Sequence, residues 1–210
     1  MTDAPRLRLG CLISGGGRTV LNLQTAIDRD AIPADIVTVI AHREDLPGVE
    51  RCRAAGLPVE IVTESGPGPV DETLQSARVD LVCLCGYLRR FAVEPRWTDR
   101  VVNIHPALLP AHGGRGMYGD RVHAAVLAAG DRETGCTVHA VDEIYDHGAV
   151  ILQRRCPVRP DDTASTLAAR VFEAECIAMP TAIRELAEGR IRIERGRVIR
   201  TTTTPATDSA

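Results

Sequence analysis

The sequence predicts an α/β fold: a mostly parallel, doubly wound sheet with helices on both faces and a C-terminal antiparallel strand or hairpin. Several short apolar runs are rich in β-branched residues and lack polar alternation, which is typical of strands buried on both faces. Helical stretches separate these runs, as parallel strands require. Glycine and polar residues directly follow several runs, where the carboxyl ends of parallel strands form a crevice.

Strand and helix signals alternate along the whole chain. Strands are predicted over residues 7–14, 36–41, 57–62, 79–85, 101–105, 136–141 and 149–158. Helices are predicted over residues 20–29, 47–56 and 70–77, and from an Asp120 N-cap to Gly130. A small hairpin is predicted over residues 191–200, with its turn at Arg195 and Gly196.

Composition indicates one domain, which we place over residues 5–200. The chain has 210 residues, 44% of them hydrophobic, and a net charge of -3 with both signs interspersed. This balance argues against a nucleic acid partner, and the lack of an apolar run of about 18 residues argues against a membrane span. We expect a cytoplasmic protein with a disordered tail over residues 201–210. The seven cysteines fit neither a disulfide framework nor a zinc spacing.

A glycine loop, SGGGRT, lies between the first predicted strand and the first helix. Backbone N–H groups at such a helix N-terminus bind phosphates, and Arg18 would add a charge-assisted contact. The same glycines also suit a tight strand–helix turn, and the residues leave both interpretations open. A dinucleotide site is a weaker alternative, because Val20 stands at the third glycine position and only Glu44 or Asp45 is available for a ribose.

The stretch VVNIHPALLP places Asn103 and His105 on one face of a strand end. A lone histidine in such a place is more often structural than catalytic. The downstream loop DEIYDHG, however, supplies carboxylates, and one such as Asp146 would orient the imidazole and raise its pKa. Between this strand end and the acidic loop lies HGGRGMYGDR, residues 112–121, a glycine-rich loop that serves either as a substrate cover or as a connector.

Four stretches together carry a resemblance to a known family. NIHPALLP, TGCTVHAVDEIYDHGAVILQ, the opening LISGGGR and the strand exit GYLRRF, in this order and at these separations, resemble the folate-dependent glycinamide ribonucleotide formyltransferases. The resemblance runs from about residue 9 to residue 180. The pairing of N-I-H-P-x-L-L-P with a downstream D-x-G loop is its most specific feature, and it implies a Rossmann-like formyltransferase fold.

The resemblance also implies roles for individual residues. The catalytic residues would be Asn103, His105 and Asp146. The substrate phosphate would bind at Gly16, Gly17, Arg18 and Thr19. The folate would bind at Leu88, Arg89, Arg90 and Phe91, largely through backbone groups, and at Asn103. The amine substrate would also contact Glu175, and we expect Arg115 and Tyr118 to reshape the cover of its pocket.

The implied reaction moves a formyl group from 10-formyltetrahydrofolate, a co-substrate, to the amine of 5-phosphoribosylglycinamide in purine biosynthesis. No metal is implied, and we expect a monomer or homodimer.

Three alternatives remain: a formyltransferase for methionyl-tRNA or an amino-sugar nucleotide, a formyltetrahydrofolate hydrolase, and a nucleotide-binding module without catalysis. The chain departs from the family pattern at Arg18 and Thr19, in the length of residues 112–121, and in lacking an arginine for the folate tail within residues 64–77.

Overall fold

The computed structural model describes residues 5–64 and 67–201. The strands are β1 (Leu7–Ile13), β2 (Ala34–Ala41), β3 (Val59–Ile61), β4 (Leu81–Leu84), β5 (Val101–His105), β6 (Glu133–Ala140), β7 (Val150–Pro157), β8 (Ile191–Glu194) and β9 (Arg197–Arg200). The helices are α1 (Arg18–Asp30), α2 (Pro47–Ala54), α3 (Pro67–Ser76), α4 (Asp120–Ala129) and α5 (Ala164–Ala187), with a 3₁₀ turn at Pro95–Trp97. Apart from Thr201, the tail predicted to be disordered lies outside the described residues.

Within the described part of the chain, seven strands form one sheet in the order β3-β2-β1-β4-β5-β6-β7. The first five strands pair in parallel, whereas β6 runs antiparallel to both β5 and β7. The predicted mostly parallel, doubly wound sheet is therefore confirmed. Because the chain turns outward from β1 to β3 and then crosses to β4, the topological switch point lies between β1 and β4, where such sheets bind their ligands.

Helices cover both faces of the sheet, as predicted. Leu9, Cys11 and Ile13 of β1 belong to a cluster that also holds buried residues of α1, α2, α4 and α5. Leu12 turns to the other face, into a smaller cluster with α3 and the 3₁₀ turn. Residues 9–13 of β1 are thus buried on both faces and carry no polar side chain. Each fully buried aliphatic side chain contributes roughly 1.5–3 kcal/mol to the stability of the fold.

The smaller cluster contains Trp97, the one tryptophan of the sequence. Its side chain is buried, and the indole Nε1–H donates to Asp71 Oδ1 over 2.7 Å. Tyr87 and Phe91, from the segment that follows β4, pack against the same cluster. Trp97 thus connects the sheet face covered by α3 to the segment that follows β4 at the carboxyl edge of the sheet.

The start of α4 differs from prediction by one residue. Asp120 is the first residue of α4 and not its N-cap, a position taken by Gly119 without a side-chain hydrogen bond. The carboxylate stands instead in the first turn, where the helix dipole favours negative charge. The C-terminal hairpin is confirmed: β8 and β9 pair antiparallel, and Arg195 and Gly196 at its turn both have positive φ. In the described residues, no helix is both long and apolar enough to cross a membrane.

Candidate active site

A cavity of about 700 Å³ lies at the carboxyl ends of β1, β4 and β5, beside the switch point. Residues of the β6–β7 loop, of the glycine-rich segment and of α5 complete its wall. Every residue that the sequence predicted for the site lines this cavity: Gly16, Gly17, Arg18, Thr19, Leu88, Arg89, Arg90, Phe91, Asn103, His105, Arg115, Tyr118, Asp146 and Glu175. Its volume falls within the range of small-molecule sites.

His105 is held at the end of β5 by two groups from different loops. Its Nε2 lies 2.8 Å from the backbone oxygen of His112, and its Nδ1 lies 3.6 Å from Asp146 Oδ2. Because a carbonyl oxygen only accepts, Nε2 carries a proton, which leaves Nδ1 as the ring nitrogen that gains or loses one. The imidazole is only 3% exposed, so its orientation is fixed by these contacts.

Burial lowers the pKa of His105, while the Asp146 carboxylate and the His112 carbonyl act in the opposite direction. The predicted effect of Asp146 is therefore present, but burial outweighs it, and the net pKa lies below the usual histidine value. For Asp146 itself, burial raises the pKa, yet His139 and the charge of His105 overcome this and lower it. The pair consequently favours an ionised carboxylate beside an imidazole that readily releases a proton.

His139 joins the site although the sequence did not single it out. Its Nδ1 donates to the backbone oxygen of Ala140 over 2.8 Å, so its Nε2 accepts from the side-chain amide of Asn103 over 3.1 Å. This bond fixes the rotation of the amide and leaves its second N–H for a substrate. His139 stands opposite Asn103 in the antiparallel pairing of β5 and β6, a register that only the structure shows.

The loop that carries Asp146 leaves β6 opposite the start of β5, where Ala140 pairs with Val102. It folds back so that Asp146 lies near His105 and His139. The residue has a φ of 55°, and its Oδ2 accepts the backbone N–H of Gly114 over 2.8 Å. A Cβ on Gly113 would lie 3.2 Å from the Asp146 Cβ and closer still to Leu109, so glycine permits this approach. The glycine-rich segment is thus bound directly to the carboxylate.

The glycine loop forms the opposite end of the cavity. Gly17, with a φ of 68°, is the N-cap of α1 and provides no side-chain hydrogen bond, which leaves the first helical N–H groups for a ligand. Gly48 of α2 donates its N–H to the Gly15 oxygen over 3.0 Å. A Cβ on Gly48 would lie 2.5 Å from that oxygen, so the close packing that shapes the loop requires glycine at position 48.

Arg18 and Glu175 face this end of the cavity together with an aromatic residue that the sequence analysis missed. The Arg18 guanidinium lies 3.6 Å from the ring centroid of Phe172 on α5, a stacking that keeps the cation in one place. Burial raises the pKa of Glu175 to about 7, with the Arg18 charge opposing. No pattern in the sequence connects Phe172 with Arg18, because their contact depends on the packing of α1 against α5.

A second buried histidine, His123, lies on the cavity wall in the first turn of α4. It is 4% exposed, and its Nδ1 has no hydrogen-bond partner among the described residues. Burial lowers its pKa, with Asp120 opposing, so the ring is preferentially neutral.

The rim of the cavity is apolar and exposed. Leu88, Tyr118, Ile144 and Tyr145 all line the cavity with much of their side chains in solvent. The Leu88 N–H donates to Ser14 Oγ over 2.9 Å, which ties the segment after β4 to the one after β1. Among the described residues, no group of three or more His, Cys, Asp or Glu is arranged to hold a metal ion.

The fold and this site define a class of protein: the chain belongs to the Formyl transferase family, whose sequence profile matches residues 7–183. A solved structure of glycinamide ribonucleotide transformylase 1 from Symbiobacterium toebii is 36% identical in sequence. The two structures superpose with a TM-score of 0.84, and the match covers 94% of this chain and 95% of the Symbiobacterium chain. The Rossmann-like formyltransferase fold is therefore established.

Two relatives are similar over most of this chain. The chloroplastic phosphoribosylglycinamide formyltransferase of Vigna unguiculata is 37% identical over 195 residues, which are 89% of this chain and 62% of that protein. The phosphoribosylglycinamide formyltransferase of Haemophilus influenzae is 35% identical over 201 residues, which are 89% of this chain and 90% of that protein. The chain thus spans less than two thirds of the plant protein and nearly all of the bacterial one.

Proposed function

We propose that the chain transfers the formyl group of 10-formyltetrahydrofolate to the amine of 5-phosphoribosylglycinamide. One observation carries the proposal: Asn103, His105 and Asp146 meet in a cavity whose other end is a glycine loop with a stacked arginine. An acyl-transfer site and an anion site in one cavity suit an amine substrate that bears a phosphate. The names of the similar proteins from Vigna and Haemophilus agree with this substrate.

The chemistry requires one bond to form and one to break at the formyl carbon. The amine nitrogen attacks this carbon, and the formyl oxygen gains negative charge while the nitrogen gains positive charge. The free N–H of Asn103 stabilises the oxygen, as in an oxyanion site, and the positive charge that His105 gains when it takes up the amine proton adds to this effect. The intermediate collapses when the bond to folate N10 breaks, and N10 then needs the proton that the attacking amine gives up.

His105 is suited to carry that proton. Its Nδ1, the ring nitrogen that the His112 carbonyl does not engage, takes a proton from the amine and passes it to N10. Asp146, 3.6 Å away, stabilises the imidazolium that forms between the two steps. His139 keeps the Asn103 amide in one orientation throughout. The lowered pKa of His105 favours release of the proton to N10.

The two substrates would occupy opposite ends of the cavity. The phosphate would bind at Gly16, Gly17, Arg18 and Thr19, where helical N–H groups and a guanidinium meet, and Glu175 beside them would contact the rest of the ribonucleotide. The folate would bind at residues 88–91, next to the apolar rim. Arg115 and Tyr118 of the glycine-rich segment would cover the substrates.

One assay tests this proposal against its alternatives. Purified protein is mixed with 10-formyltetrahydrofolate, with and without 5-phosphoribosylglycinamide, and the folate absorbance is followed. Turnover only with the ribonucleotide supports the proposal. Turnover without it indicates a hydrolase, turnover only with methionyl-tRNA or an amino-sugar nucleotide indicates a different formyltransferase, and no turnover with any of them overturns a catalytic role.

A further inference from the structure

The backbone oxygen that accepts from His105 belongs to a residue whose own side chain is anchored elsewhere. The imidazole of His112 reaches away from the cavity, and its Nε2 lies 2.7 Å from Asp131 Oδ2 in the turn after α4. The His112 side chain is 18% exposed and that of Asp131 is 40% exposed, so only the histidine is shielded from solvent. His112 is therefore connected to His105 through its carbonyl and to α4 through its ring.

The backbone at His112 is strained. Its φ is 53°, a left-handed conformation that costs a non-glycine residue about 1–2 kcal/mol. The segment before it is held at Leu109, whose N–H donates to Thr137 Oγ1 and whose oxygen accepts from Gln153. The contact between the His112 and Asp131 side chains helps to oppose the strain at His112 itself.

The same short stretch serves both catalytic partners. The oxygen of His112 accepts from His105 Nε2, and two residues later the N–H of Gly114 donates to Asp146 Oδ2. A displacement of this stretch would change the orientation of the imidazole and of the carboxylate together. Misplacement of reacting groups by about 1 Å can cost two orders of magnitude in rate.

We propose that His112 and Asp131 are positioning residues for His105, acting through the His112 carbonyl. Neither side chain needs to touch a substrate for this role. The pair fixes the position of the one acceptor that holds the His105 Nε2 proton. The expected loss of kcat rests on the proposed formyl transfer, whereas the expected tautomer of His105 does not.

The tautomer is measured first, by long-range ¹H–¹⁵N NMR on histidine-labelled protein without substrates. The wild type should show a slowly exchanging proton on His105 Nε2. In His112→Ala and in Asp131→Ala this proton should exchange faster or the tautomer should become mixed. His112→Gln keeps a nitrogen donor at nearly the same place and similar backbone strain, so it should restore the wild-type signal.

Kinetics on the same variants supply the second measurement. We expect kcat of His112→Ala and of Asp131→Ala to fall roughly 10–100-fold, with KM changed by less than about threefold. The double variant should be no slower than either single variant, because the two residues act as one pair. His112→Gln should recover most of the rate. Glu133→Gln, which breaks an exposed pair with Arg155 two residues from Asp131, is the control and should match the wild type.

The outcomes separate this inference from the function on which its kinetic part rests. An unchanged His105 Nε2 signal in both alanine variants, an unchanged kcat, or equal losses in His112→Ala and His112→Gln would each overturn the positioning role. A wild type inactive on 5-phosphoribosylglycinamide with the predicted NMR changes would overturn the proposed substrate and keep the positioning role. If His112→Ala fails to fold, Asp131→Ala decides, because it leaves the loop sequence intact.

Discussion

The two glycine-rich stretches that border the cavity use glycine for different physical reasons. In the loop before α1 the crowding comes from α2: an added Cβ on Gly17 would lie 3.1 Å from Gly48, and one on Gly48 would lie 2.5 Å from the Gly15 oxygen. In the segment before α4, Gly113 packs closely on Leu109, but the next two glycines, Gly114 and Gly116, have positive φ with no atom within 4 Å of an added Cβ.

This difference assigns a different task to each stretch. The loop before α1, at the binding end of the cavity, is fixed by packing against α2, so it presents its N–H groups to a ligand in one arrangement. The segment before α4 lies at the chemical end of the cavity, next to His105 and Asp146. It is fixed by backbone conformation and by a few hydrogen bonds to these two residues, so a change in it alters their orientation. Changes at the chemical end should therefore lower kcat, and changes at the binding end should raise KM for the ribonucleotide.

The largest effect is expected for His105→Ala at the chemical end. Loss of the imidazole removes the group that carries the proton, so kcat should fall roughly 10²–10⁴-fold while folate affinity remains. Steady-state kinetics and a direct folate titration measure the two quantities. His147→Ala is the matched control, because that imidazole is exposed, pairs with Asp142 and does not line the cavity. Near-normal turnover of His105→Ala would remove the residue from the mechanism.

The next effect is expected for Asp146→Asn, which keeps the shape of the side chain and removes its charge. The carboxylate raises the pKa of His105 against the effect of burial, so its loss should lower that pKa further. We expect kcat to fall about 10²-fold and the limb of the pH–rate profile that reports His105 to move to lower pH. A profile that stays in place would show that Asp146 does not act on His105.

A smaller effect is expected at the binding end for Gly48→Ala. The added methyl group would meet the backbone of Gly15 and Gly17, so the loop must shift, at a cost of about 1–3 kcal/mol in the free energy of unfolding. KM for the ribonucleotide should rise while kcat changes little. Gly68→Ala, where an added Cβ meets nothing within 4 Å, is the control. Denaturant unfolding compares the two variants, and equal stability would contradict the crowded-loop account.

The smallest effect is expected for Arg18→Ala. Removing the guanidinium stacked on Phe172 should raise KM for the ribonucleotide about tenfold, equivalent to about 1.4 kcal/mol, and leave kcat nearly unchanged. Arg18→Lys should recover only part of this loss, because an ammonium neither stacks as a plane nor binds a phosphate bidentately. Isothermal titration with the ribonucleotide measures both, and unchanged affinity in Arg18→Ala would place the phosphate elsewhere.

Much of the fold was readable because buried parallel strands leave a strong local signal. The run that contains Asn103 and His105 was predicted as the end of a buried strand, and it forms β5. The carboxyl ends of parallel strands meet at one edge, which placed these two residues beside the glycine loop. Asp146 lines the same cavity, as the family resemblance implied.

The features that the sequence did not reveal all depend on contacts between distant segments. His139 enters the site through its register opposite Asn103, and register is not visible in a single strand. Phe172 reaches Arg18 only because α1 packs on α5. The acceptor for His105 is a backbone oxygen, which every residue possesses, so no residue type marks it.

Trp97 gives the chain an optical probe of its own. The indole is single in the sequence, buried, and hydrogen-bonded to Asp71, so its emission reports one environment. It shares a cluster with Tyr87 and Phe91, which belong to the segment that would bind the folate. Fluorescence at one wavelength should therefore follow both unfolding of the domain and any change in the segment after β4 when a ligand binds, with no label attached.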